Sequence, residues 1–177
     1  MSEAAIRPSH TVGDLAYDAI FIGGIGGGLV ALFFLVFDLI TRGLPFFTPS
    51  LMGSVLFEGA AAATVDTVSL TAVARYSVLH LFAFSVLGFG LSTITHQAEM
   101  RARHPLVVIA LVFAILEAGF WFGASVAIPG VLERLGMAPV AIANLLAAVG
   151  VGLFIGSTHR ADLWQRRPTA RKPVART

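Results

Sequence analysis

The chain has 177 residues, of which 56% are hydrophobic and 12% charged, with a formal net charge of +2. A mean hydropathy of +0.84 excludes a water-soluble globular fold, because a core of this size cannot hide so much apolar surface, and the chain belongs in lipid. The absence of cysteine excludes a disulfide framework, a thiolate metal site, a cysteine nucleophile and covalent c-type haem attachment. A pI near 9.7 raises the question of nucleic acid. The basic residues, however, gather at the ends of apolar segments and in the tail, which is a topological pattern, and no nucleic-acid partner is expected.

Four apolar stretches approach or exceed the ~20 residues that cross the hydrocarbon core as a helix. They cover residues 17–41, 72–95, 106–128 and 140–157. Pro105 and Pro139 fall where a first helical turn tolerates a missing N–H, and Pro129-Gly130 ends the third stretch. The expected fold is an all-α integral membrane four-helix bundle. Residues 1–12 form a cytoplasmic N-terminus, residues 13–158 the membrane domain and residues 159–177 a basic cytoplasmic tail.

The orientation follows from lysine and arginine in the short connections. Arg7, Arg101, Arg103 and the tail residues Arg160, Arg166, Arg167, Arg171, Lys172 and Arg176 belong on one side. The other side receives Arg42, Arg75 and Arg134, offset by Glu58, Asp66 and Glu133. Both termini are expected on the cytoplasmic side (N-in/C-in), with the first helix retained as an anchor.

The first helix carries Gly23-Gly24-Ile25-Gly26-Gly27-Gly28, with Ala19, Gly23, Gly27 and Ala31 recurring every fourth residue. In lipid, small residues at this spacing let another helix approach closely. A phosphate-binding glycine loop needs a strand before it and an aqueous site, whereas this run has spanning sequence on both sides. The same packing device recurs as Gly119, Gly123 and Ala127 in the third span and as Asn144, Ala148, Gly152 and Gly156 in the fourth. The second span has a weaker Gly88 and Ser92 pair.

Between the first two spans, the loop of residues 43–71 is largely apolar yet too short and interrupted to cross the membrane. Residues 49–57 read as a short helix lying at the outer interface, with Thr48 as N-cap and Pro49 in the first turn. Asp38 and Arg42, four residues apart at the outer end of the first helix, read as an ion pair.

Glu117 stands near the middle of the third span, where a carboxylate is costly. With ~1.5 Å rise per residue, His80 and Asn144 fall at similar depth and Glu117 slightly deeper, with Tyr76 a turn from His80 and Trp121 a turn from Glu117. An intramembrane polar cluster of His80, Glu117, Asn144 and Tyr76 is therefore expected. It is either a structural hydrogen-bond cluster or a proton or cation site in which Glu117 exchanges a proton with His80. His80 also suits axial ligation of haem or chlorophyll. His10, His96, His104 and His159 lie near the cytoplasmic ends without metal-ligand spacing, so no metal site is expected. The tail, with Arg166, Arg167, Arg171 and Lys172, suits anionic lipid.

The stretch from Phe37-Asp38-Leu39 through Leu44-Pro45-Phe46-Phe47-Thr48-Pro49 to Gly53, followed by Arg75-Tyr76-Ser77-Val78-Leu79-His80-Leu81-Phe82-Ala83-Phe84, resembles uncharacterised bacterial four-span membrane proteins. The resemblance covers the first half of the chain, includes Pro49 and His80, and departs at Ser77, where threonine is expected. It implies no known activity, and the expected location is the bacterial inner membrane.

Three functions are compatible with these features. An accessory or scaffolding subunit of a larger membrane complex, of respiratory or photosynthetic type, would act through helix packing and lipid or pigment placement. A homo-oligomeric proton-coupled transporter or channel would use Glu117. An electron-transfer or pigment protein would use His80.

Overall fold

The computed structural model describes residues 12–59, 62, 64, 66–97, 105–127 and 131–165, and among these all regular secondary structure is helical. Its helices are α1 (Val12–Arg42), α2 (Phe47–Glu58), α3 (Leu70–Gln97), α4 (Pro105–Ala127), α5 (Val131–Leu135) and α6 (Met137–Gln165). Four of them are long and apolar enough to cross a membrane, over Leu15–Arg42, Leu70–Ile94, Leu106–Ala127 and Met137–Ser157. This is a multi-pass membrane protein. Large apolar side chains cover its outside, among them Ile40, Val78, Phe122 and Val126, as expected of surfaces facing acyl chains.

The packing order is α3 on α1, α1 on α6 and α6 on α4. One apolar core joins all four spans through Ile22, Leu91, Val112, Leu116 and Val151.

The α1–α3 interface is built rung by rung from two four-residue repeats. Leu15, Ala19, Gly23 and Gly27 on α1 run antiparallel to Ser92, Gly88, Phe84 and His80 on α3. Ser92 Oγ donates to the Leu15 carbonyl at 3.2 Å. A Cβ on Gly88 would run into the Ala19 carbonyl oxygen, and one on Gly23 would sit 2.5 Å from the Phe84 carbonyl oxygen. At the last rung His80 Nε2 donates to the Gly27 carbonyl at 3.1 Å. Two backbones can come this close only where side chains are missing, and close approach is what drives helix association in lipid.

The loop helix α2 differs from the short helix at the outer interface expected from sequence. It begins at Phe47 rather than Pro49. Its N-cap residue is Phe46, in the left-handed region at φ 67° and without a side-chain cap bond, so Thr48 is not the N-cap. Thr48, Ser50, Leu51, Met52, Gly53, Ser54 and Val55 are all buried, because α2 is held among α3, α4 and α5. A Cβ on Gly53 would meet the backbone of Ala72. Ser50 Oγ accepts the Ser69 N–H at 2.8 Å, and Ser69 Oγ in turn accepts the Ala72 N–H at 3.3 Å, capping α3. Gly43, at φ 67°, supplies the left-handed residue that ends α1 and turns the chain toward α2.

Two further differences concern the second half. A short helix, α5, fills the connection between the third and fourth spans, and α6 continues to Gln165, so the first seven residues assigned to the tail are helical. Arg166, Arg167, Arg171 and Lys172 lie outside the described residues.

Candidate functional site

Glu117 and Asn144 meet because α4 and α6 pack antiparallel in one register. Ile109 lies against Gly152, where a Cβ would clash with its side chain. Eight residues further along α4 and eight back along α6, Asn144 Nδ2 donates to Glu117 Oε1 at 3.1 Å. Trp121, one turn along α4, donates its indole N–H to Glu117 Oε2 at 2.7 Å. Each carboxylate oxygen thus has one N–H donor in a segment where lipid offers none. Asn144 is buried, while Glu117 and Trp121 are half-buried.

His80 and Tyr76 do not join this group. Their rings lie 5.7 Å apart on α3, with His80 engaged to Gly27 and packed on Phe84 at 4.7 Å. Tyr76 packs against the cluster formed by α2 and α5. Similar expected depth does not make these residues neighbours, since His80 is turned to Gly27 of α1 whereas Glu117 is turned to Asn144 of α6. The Nε2 proton of His80 points at a carbonyl oxygen, so haem or chlorophyll ligation through that nitrogen would require this bond to break. His10 and His104 lie outside the described residues, as do the side chains of His96 and His159.

The glycines divide sharply. Gly23, Gly27 and Gly152 sit against neighbouring helices of the same chain, as does Gly88. Gly119, Gly123 and Gly156 do not, since a Cβ there would meet nothing within 4 Å. A side chain at these three positions would therefore have room within the chain.

Sequence reasoning missed a third polar group, at the α2 end of the molecule. Asp38 is completely buried. Its Oδ2 accepts the Thr48 backbone N–H at 2.6 Å and its Oδ1 the Thr48 hydroxyl at 2.7 Å. A carboxylate from α1 therefore satisfies the first turn of α2, where free N–H groups and the helix dipole favour negative charge. Arg42 is only loosely paired with Asp38, at 3.9 Å. It donates to the Arg134 carbonyl at 3.2 Å, and its guanidinium lies 4.3 Å from the Phe47 ring centroid. Arg134 approaches the same ring at 5.6 Å and bonds to Asp66. The signal available in the sequence was a carboxylate ten residues before a Thr-Pro helix start.

No protein-family model, curated protein or solved structure matches the chain.

Proposed function

We propose that the protein is an accessory or scaffolding subunit of a larger bacterial inner-membrane assembly, oriented with both termini in the cytoplasm, which gives neighbouring chains a surface for close helix packing. The observation carrying this reading is the pair Gly24 and Gly28 on α1. Both are exposed, they are four residues apart, and nothing of the chain lies within 4 Å of a Cβ built at either. Glycine weakens a helix by ~1 kcal/mol relative to alanine. At Gly23 and Gly27 that cost is offset by contact with α3; at Gly24 and Gly28 nothing within the chain offsets it, and close packing by a helix of another chain would. Ile20 and Leu32 extend the same exposed face on either side, so an incoming helix meets a shallow notch flanked by apolar side chains.

A cysteine at position 28, in a chain that has none of its own, tests this directly. Treatment of native membranes with a short bifunctional crosslinker should join Gly28→Cys to another polypeptide, giving an adduct of defined mass. Reaction with lipid or reagent alone contradicts the reading.

A proton-coupled transporter or channel is the alternative, and one observation favours it. α4 is the span least covered by the rest of the chain, so association through α4 would gather several copies of Glu117 at one interface. Reconstituted protein would then show pH-driven flux that Glu117→Gln abolishes.

A further inference from the structure

Between α2, α3 and α4 lies an open cleft of about 200 Å³, walled by Met52 and Leu56 of α2, Leu79 of α3, and Gly119, Phe120 and Gly123 of α4. Every one of these residues lacks a polar side chain. The α4 wall continues to Ala127, a length of about 12 Å at ~1.5 Å per residue, close to the ~15 Å of hydrocarbon in one leaflet. An acyl chain is slender enough to lie in this apolar slot.

A cation stands at its rim. Arg75 precedes Leu79 by one turn on the same face of α3. Its guanidinium lies 5.8 Å from the ring centroid of Phe57, the residue next to cleft-lining Leu56. Arg134 is paired with Asp66 and Arg42 stands beside Asp38, whereas Arg75 is exposed and has no carboxylate partner among the described residues. An apolar slot about one leaflet long, ending at a guanidinium without a carboxylate partner near the Leu70 end of the α3 span, has the chemistry of a single anionic phospholipid.

We infer that the cleft holds an acyl chain of an anionic phospholipid, with the Arg75 guanidinium on its headgroup phosphate. The site stands on α3 and α4 and is independent of the Gly24 and Gly28 face.

The test is native mass spectrometry of the full-length protein, delipidated in detergent and then titrated with phosphatidylglycerol or phosphatidylcholine. Wild-type protein should retain phosphatidylglycerol preferentially. Arg75→Gln should reduce that preference roughly fivefold, the effect of one basic residue at an anionic surface, and Arg75→Lys should keep most of it. Gly123→Leu, which fills the slot from a position with open space around it, should lower retention of both lipids. The inference is overturned if Arg75→Gln and Gly123→Leu bind phosphatidylglycerol like wild type. It is equally overturned if inorganic phosphate displaces the lipid from the wild-type protein, or if Gly123→Cys forms a disulfide between two copies in membranes, which would place a second chain there.

Discussion

Asp38 on α1 takes both hydrogen-bond donors of Thr48 on α2, the backbone N–H at 2.6 Å and the hydroxyl at 2.7 Å. The contact joins the end of the first span to the start of the buried loop helix, and it satisfies both polar groups that the buried Thr48 brings inside the protein. Asp38→Ala removes the acceptor for both donors and leaves Arg42 without its nearest carboxylate. A loss of about 3 kcal/mol is expected. Thr48→Ala removes only the hydroxyl and should cost about 1 kcal/mol. Unfolding of both variants in detergent micelles checks the ranking, and equal losses would mean that the backbone bond contributes little.

The α1–α3 zipper makes two nearby glycines behave oppositely. Gly88→Ala drives a methyl group into the Ala19 carbonyl and should destabilise by about 1–3 kcal/mol, the usual cost of forcing atoms into a filled interface. Gly90→Ala meets open space and should be neutral or slightly stabilising. The same unfolding measurement decides, and similar losses at the two positions would argue against this register.

These two contacts mark where the sequence was legible and where it was not. The four spans were readable because a helix in lipid must be continuously apolar over a fixed length; the expected bounds of 72–95 and 106–128 compare with Leu70–Ile94 and Leu106–Ala127. The seam of Ala19, Gly23 and Gly27 was readable from its four-residue repeat. Its partner was not, since Phe84 and His80 are large, and only the missing Cβ atoms on α1 make room for them. Likewise the pairing of Glu117 with Asn144 and Trp121 followed from depth and helical spacing, but depth carries no information on which helices are neighbours, and so His80 was grouped with Glu117 instead of Gly27. Asp38 was assigned to Arg42 by the i, i+4 rule. The competing partner was an unsatisfied helix start ten residues away, which became visible only once α2 was seen to fold back against α1.

Glu117, with one donor on each oxygen, should contribute modestly to stability. Interhelical hydrogen bonds of this kind average ~0.6 kcal/mol in a membrane, so Glu117→Gln should leave the protein folded with a loss of no more than about 1 kcal/mol. Trp121 reports the contact independently. In a Trp164→Phe background, which leaves Trp121 as the chain's only tryptophan, Glu117→Leu should shift the emission maximum by removing the indole's acceptor. An unchanged spectrum would contradict the bond.

The most direct test of the subunit reading is to isolate the tagged protein from its native membrane in a mild detergent and weigh what accompanies it, beside a Gly24→Leu/Gly28→Leu variant. The expected result is one or more other membrane proteins at fixed stoichiometry with the wild type, lost from the variant while its helical content and own elution remain those of a folded chain. A wild-type protein that emerges alone, or a variant that keeps the same companions in the same ratio, would contradict the account.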